Sequence, residues 1–415
     1  MRKLLLTTLA VLLTTAGLYA GRQVYSTTID NVTRKYVVYT PGMYQREHVV
    51  ILLHGMGETY DDYDSYTMQS FATENKCVLI LPQALPEQDE TLLDLLDLIG
   101  GFKPEMGDLK TALTKSAWGA NVYVTIDDLC TAIGTTKAVL ESLVNNMPAY
   151  YKYKHFVDAG KIEINAGVND CKFIEEIRKD FSNQGAYDTN IIGCSLGGAM
   201  AYKYAFEDPS RIRKLVDASG FVSKGVQVPS NYNIPTFIIH SDTDETVPYD
   251  GGFFNRPIDE FISELVQTNP HGAPSIRIIN QLEPRDEQIY VRDWKENPEV
   301  LVYEPRKASH SLVGDLANLG VDLYETISDF LFNDPSAADE ATADSKRLAI
   351  YPNPVEDIAN VNIDGKYEIF NLAGVKIASG DTENGIIDMT SLIAGRYILM
   401  LTSGNDVYRS IIIKK

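Results

Sequence analysis

Thr189-Asn190-Ile191-Ile192 is an apolar run that passes through Gly193-Cys194-Ser195-Leu196-Gly197 into Gly198-Ala199-Met200-Ala201-Tyr202-Lys203-Tyr204-Ala205, a stretch compatible with a helix. Strand, small-residue turn and helix in that order make the elbow on which a nucleophilic serine is presented. The turn is tight enough to demand glycine-sized neighbours two residues either side of the serine. It lifts the hydroxyl to the carboxyl edge of a parallel sheet, so Ser195 reads as a nucleophile. A five-residue pattern with two glycines also arises by chance in βα turns, and the rest of the chain must supply its partners.

A serine on such an elbow needs an acid and then a histidine further along the chain. Pro235-Thr236-Phe237-Ile238-Ile239-His240 has the continuous apolar character of a buried parallel strand and opens into Ser241-Asp242-Thr243-Asp244-Glu245-Thr246-Val247-Pro248-Tyr249. Asp244 is the expected acid. Val300-Leu301-Val302-Tyr303-Glu304 is a further strand, followed by Pro305-Arg306-Lys307-Ala308-Ser309-His310-Ser311 and an amphipathic helix ending near Phe332. His310 is the expected base, taking the Ser195 proton while Asp244 holds the imidazole tautomer. An early strand, Val49-Val50-Ile51-Leu52-Leu53, runs into His54-Gly55-Met56-Gly57, where glycines let amides turn inward. By position the Met56 and Leu196 amides are the oxyanion donors. His54 reads as structural, a strand-end histidine satisfying its loop. The pattern implies an α/β fold, an α/β-hydrolase with a mostly parallel sheet.

These residues carry a resemblance. His54-Gly55 after a strand, Gly193-Cys194-Ser195-Leu196-Gly197-Gly198, the run from His240 to Tyr249 and Ser309-His310 resemble the secreted esterase group of feruloyl esterases, acetylxylan esterases and polyhydroxybutyrate depolymerases. Thr33-Arg34-Lys35-Tyr36-Val37-Val38-Tyr39-Thr40-Pro41 is similar to that group's first strand. Gly167-Val168-Asn169-Asp170-Cys171 is similar to the start of its helix before the nucleophile strand, with Asn169 where the group more often has aspartate. The resemblance spans roughly 30 to 333 and implies a serine esterase.

Two departures bear on substrate. About eighty residues, Leu85 to Ala166, separate the strand Cys77-Val78-Leu79-Ile80-Leu81-Pro82 from the helix at Asp170, against about 2–6 for a simple βα connection. This lid-like insertion, 85–166, has helix-like segments at Asp89 to Ile99 and Thr131 to Asn146 and aromatics at Tyr150, Tyr151, Tyr153 and Phe156. It is either a cap that builds the acyl or sugar pocket or an excursion that covers the core. Ser309-His310-Ser311-Leu312-Val313-Gly314 also lacks the Gly-His and Trp-Pro-Gly that often flank this histidine in the group.

The two ends address export. Met1-Arg2-Lys3, an apolar stretch from Leu4 to Thr15 and Gly17-Leu18-Tyr19-Ala20 read as a signal peptide over 1–20, cleaved near Ala20-Gly21. No later stretch is apolar for eighteen residues, so no stable membrane span is expected. The catalytic domain is expected over 21–333. Residues 334–347 are small and acidic, a linker. From 348 to 415 seven short strands between turns imply a small all-β sandwich. Tyr351-Pro352-Asn353-Pro354, Ile369-Phe370-Asn371-Leu372-Ala373-Gly374, Leu392-Ile393-Ala394-Gly395-Arg396-Tyr397 and Lys414-Lys415 resemble the type A C-terminal sorting domain of the type IX secretion system. That resemblance implies a Gram-negative host, passage through the type IX machinery, and release or surface attachment. A carbohydrate-binding module is the competing shape, but the tail has no tryptophan.

With 37 basic against 57 acidic residues, a formal charge of −20 disfavours nucleic acid, anionic lipid and strongly acidic polymers as partners. The four cysteines show no paired Cys-x-x-Cys spacing, so neither metal nor cofactor is expected, and a bridge among Cys77, Cys130 and Cys171 is left open. The leading function is a serine esterase acting on acyl or aryl esters of plant or microbial polysaccharides. A serine peptidase on the same scaffold and an inactive surface protein are the alternatives.

Overall fold

Aliphatic and β-branched runs bounded by turns build a ten-stranded sheet in a computed structural model of the chain. The strands are β1 Gly21–Ile29, β2 Val32–Thr40, β3 His48–Leu53, β4 Cys77–Pro82, then, after a short β5 Tyr123–Thr125 and β6 Lys161–Glu163 outside this sheet, β7 Asp188–Cys194, β8 Leu215–Ala218, β9 Thr236–Ile239, β10 Ser275–Ile279, β11 Ile289–Trp294 and β12 Val300–Pro305. Their order is β1-β2-β4-β3-β7-β8-β9-β12-β11-β10. The run β4-β3-β7-β8-β9-β12 is parallel, and the pairs at both ends are antiparallel. The described residues are 21–41, 48–63, 65–101, 103–182, 188–268, 272–280, 285–295, 298–333, 348, 350–351, 355–371, 376–382, 385–404 and 406–415. The expected signal peptide 1–20 and linker 334–347 lie outside them.

The central strands are buried on both faces, which is why they read as continuous apolar runs rather than alternating ones. Alternation survives in which core each residue joins. Val49, Ile51 and Leu53 of β3 enter one apolar cluster, with Phe173 and Ile177 of helix Asp170–Phe181 and Met200 of helix Leu196–Glu207. Val50 and Leu52 enter the other, with Met68 and Phe71 of helix Ser65–Glu74 and Ile327 and Leu331 of helix Leu323–Phe332. Because β3, β7, β9 and β12 all run the same way, their carboxyl ends share one edge, where ligands of open α/β sheets bind. Ser195, Asp244 and His310 follow β7, β9 and β12 along that edge.

β1 is a strand that the sequence reading did not single out. Asp30 and Asn31, both at positive φ, make the two-residue turn that joins it to β2. In the insertion, helix Glu90–Gly100 occupies the segment expected from Asp89 to Ile99, and the Asp89 side chain caps it. The expected helix over 131–146 is instead two, Ile126–Ala132 and Lys137–Asn146, broken at Gly134 (φ 71°) and restarted by the Thr136 cap. Tyr153 and Phe156 are buried in the first cluster, whereas Tyr151 is exposed. All four cysteines are free thiols.

The chain divides into two compact units, Met1–Phe332 and Asn333–Lys415. The second contains two antiparallel sheets, one of three strands and one of four. Val361, Ile369, Ile387, Leu399, Leu401 and Ile412 fill a single core of its own.

Candidate active site

Ser195 stands between β7 and helix Leu196–Glu207 at φ 54°, ψ −121°, a conformation costly for any residue with a Cβ. Its amide donates to the Ala218 carbonyl at 3.0 Å. The glycines around it are required by space. A Cβ on Gly197 would meet the Leu53 carbonyl oxygen at 2.1 Å, one on Gly193 the Gly197 oxygen at 2.5 Å, and one on Gly198 an Asp217 carboxylate oxygen at 2.5 Å. Leu196 is the first helical residue, so no earlier turn offers its amide a helical acceptor.

His310 Nε2 lies 2.9 Å from Ser195 Oγ, and its Nδ1 lies 2.7 Å from Asp244 Oδ2. Asp244 is buried, and its other oxygen accepts the Thr246 and Val247 amides at 2.9 and 2.8 Å. Burial alone would raise the Asp244 pKa, but the bonds from His310 and Val247 outweigh it and hold the carboxyl below its usual range. His240 donates from Nε2 to the Val247 carbonyl at 2.8 Å, and burial lowers its pKa; it is a neutral brace for the loop carrying Asp244. Ser219 Oγ donates to the His310 carbonyl at 3.0 Å and steadies the histidine's backbone.

The turn after β3 abuts Ser195: a Cβ on Gly55 would stand 3.3 Å from Ser195 Cβ. His54 is held between its own loop and the residues that follow β4. Its Nδ1 donates to the Gly55 carbonyl at 2.8 Å and its Nε2 accepts the Ala84 amide at 3.1 Å. Burial pushes its pKa down to about 4, so the ring is neutral. The insertion grips this turn. Trp118 Nε1 donates to the His54 carbonyl at 2.8 Å, and the Gly57 amide on the far side of Met56 donates to the Ser116 carbonyl at 2.9 Å. Glu58 adds a contact that the sequence did not suggest, its carboxylate accepting the Gly55 amide at 2.7 Å.

A cavity of about 380 Å³ opens beside Ser195 and His310. Glu58, Tyr63 and Cys194 border it near Ser195, and Leu52, Met68, Phe71, Leu79, Ile192 and Ile327 line it within the second apolar cluster. Burial pushes the Cys194 thiol up to about 12, so it is a neutral wall group. Among the described residues none of 85–166 lines this cavity; the insertion's contribution there is to the turn around Met56. Among the described residues no three His, Cys, Asp or Glu are grouped to hold a metal, and no helix is long and apolar enough to cross a membrane.

Residues 132–271 match the phospholipase/carboxylesterase family. Residues 349–415 match the secretion system C-terminal sorting domain, which implies secretion or display at the cell surface. No curated protein sequence matches the chain. Among solved structures, an S-formylglutathione hydrolase from Agrobacterium tumefaciens aligns at 12% identity and TM-score 0.41, over 74% of this chain and 94% of its own. A predicted CIB-like hydrolase from Thermoplasma acidophilum aligns at 10% and 0.40, over 76% and 100%. A cold-adapted esterase from an Arctic intertidal metagenomic library aligns at 14% and 0.38, over 76% and 94%. The chain is thus similar to the phospholipase/carboxylesterase family over 132–271 and to the secretion system C-terminal sorting domain over 349–415.

Proposed function

We propose that this chain is an exported serine esterase in which Ser195, His310 and Asp244 form the catalytic triad and the Met56 and Leu196 amides receive the oxyanion. The observation that carries this reading is the unbroken hydrogen-bond chain from Asp244 through His310 to Ser195. His310 Nε2 takes the Ser195 proton as Oγ attacks the ester carbonyl, and Asp244 stabilises the imidazolium that forms. The tetrahedral oxyanion is stabilised by the two amides, each worth about 3 kcal/mol of barrier. His310 then protonates the leaving alcohol, and a water activated by the same nitrogen releases the acid from Ser195.

The carboxylesterase match supports ester over amide chemistry. The sorting-domain match supports handling by the type IX machinery, after a signal peptide over 1–20 has been removed. A polysaccharide as the alcohol side of the ester rests on the resemblance to feruloyl and acetylxylan esterases. A fluorophosphonate probe should label the purified protein and not Ser195→Ala. That variant should lose several orders of magnitude of turnover on p-nitrophenyl acetate while keeping its melting temperature. Labelling of Ser195→Ala at the wild-type rate would remove Ser195 as nucleophile, and faster turnover of an aminoacyl amide than of esters would favour the peptidase alternative.

A further inference from the structure

We infer that the cavity beside Ser195 is the acyl pocket and that it selects straight aliphatic acyl chains several carbons long over acetyl and over hydroxylated aryl acyl groups, an inference that rests on Ser195 being the nucleophile. At about 380 Å³ the cavity is near the lower limit for small-molecule sites, roughly 300–1,000 Å³, and far larger than an acetyl methyl needs. Its walls come from both sides of one gap. Leu52, Leu79 and Ile192 project from β3, β4 and β7, while Met68 and Phe71 face them from helix Ser65–Glu74 and Ile327 from helix Leu323–Phe332. All six belong to the apolar cluster beneath the site.

Two chemical arguments assign the acyl side. The acyl group stays bonded to Ser195 while the alcohol departs and water takes its place, so a recess walled by core residues suits the part that remains. A polymer-linked alcohol cannot enter such a recess, whereas a chain attached at the nucleophile can. The wall chemistry then selects among acyl groups. Asp62, Ser219, Ser311 and Tyr324 also line the cavity, but Met68, Leu79 and Ile327 have no polar side-chain group, apart from the weakly accepting Met68 sulfur, so a phenolic hydroxyl carried among these three would lose its water without a good partner. Glu58 at the border would repel an acyl group ending in a carboxylate. Methylenes lose nothing there, and the unbranched Met68 side chain adapts to their length.

The test holds the leaving group constant and varies the acyl chain: p-nitrophenyl acetate, butyrate and hexanoate, with methyl ferulate and methyl hexanoate as a second pair. The value of kcat/KM should rise about fourfold for each methylene that enters, the rate equivalent of about 0.8 kcal/mol, so hexanoate should exceed acetate at least tenfold. Methyl hexanoate should exceed methyl ferulate. Ethyl, butyl and hexyl acetates, which lengthen the alcohol instead, should differ by less than threefold. Ile327→Phe, which fills the recess, should lower the hexanoate to acetate ratio at least fivefold. If that variant does not fold, the wild-type series alone decides. Acetate preferred over hexanoate, ferulate preferred over hexanoate, a rise along the alkyl acetates, or an unchanged ratio in a folded Ile327→Phe would each overturn the acyl assignment. A protein that hydrolyses these esters without being labelled at Ser195 would instead overturn the triad on which the assignment rests.

Discussion

Asp242 Oδ2 accepts a hydrogen bond from Arg306 Nη1 at 2.8 Å, while Asp244, two residues on, meets His310. Asp242 Oδ1 also accepts the Lys307 amide at 3.0 Å. One acid ties the loop after β9 to the segment approaching His310, and the other faces the imidazole. Replacing each by asparagine should separate them. Asp244→Asn should lower kcat/KM on p-nitrophenyl acetate by about four orders of magnitude, since the amide favours the wrong imidazole tautomer. Asp242→Asn loses a partly exposed ion pair worth up to about 1 kcal/mol and should cost less than about tenfold. Equal or reversed losses would exchange the two roles.

Trp118 tests the insertion's part in catalysis. Trp118→Phe keeps much of the ring that packs against His54, at 5.0 Å between centroids, and removes the N–H that satisfies the His54 carbonyl. A buried carbonyl left unpaired costs about 1–3 kcal/mol. The turn bearing Gly55 and Met56 is then free to shift, and sub-ångström displacement of a positioned donor is expensive in rate. The expected result is a melting temperature lower by several degrees and a kcat on p-nitrophenyl acetate lower by roughly tenfold, with KM within twofold. A fall in melting temperature with kcat unchanged would make the insertion a structural cover only.

The elbow was legible because its requirement is local: Gly193, Gly197 and Gly198 sit where a Cβ would strike backbone or the Asp217 carboxylate. The meeting of Asp244 with His310 was legible from the place of Asp244 after a buried strand and before Val247, whose amide it accepts. Trp118 was not, because its acceptor, the His54 carbonyl, lies 64 residues earlier in the chain and neither residue carries a periodic signal. Glu58 escaped for a similar reason, since an acid three residues after a glycine is ordinary turn chemistry until the fold sets it beside Ser195. Met68, Phe71, Leu79 and Ile327 each read as core, and only the meeting of two helices with the sheet leaves space between them. β1 was missed because its residues are mostly exposed or half-exposed, without the apolar run that marks the central strands.

Asp217 couples stability to pH. It is buried beneath the elbow, its carboxylate accepting the Tyr202 hydroxyl at 3.0 Å, and burial raises its pKa from 3.8 to about 7. The folded state therefore holds a proton that the unfolded chain releases near pH 4. Its contribution to stability is fully present below about pH 4 and is lost as pH rises through about 7. Asparagine mimics the protonated form at every pH. Asp217→Asn should match the wild type near pH 4 and exceed it above pH 8, by up to about 4 kcal/mol if the whole shift is expressed. Thermal melts of both proteins from pH 4 to 9 measure the divergence, and parallel curves would show that Asp217 stays ionised in the folded protein.

The last prediction concerns the residues after Asn333. Every proposed catalytic residue precedes them, and the core of Val361, Ile369, Ile387, Leu399, Leu401 and Ile412 is made entirely from the C-terminal unit. A domain with its own apolar core folds independently of a neighbour joined by a short acidic segment. A fragment from Gly21 to Asp334 should therefore fold, with kcat/KM on p-nitrophenyl esters within twofold of the chain from Gly21 to Lys415. In its native host, by contrast, the chain ending at Asp334 should still be exported by the proposed signal peptide and stop in the periplasm, because the segment 349–415 that matches the sorting domain is gone. Enzyme assays on the two purified proteins and cell fractionation of the two strains give independent answers. Lost activity in the fragment with unchanged delivery outside the cell would make the tail part of the substrate site rather than an address.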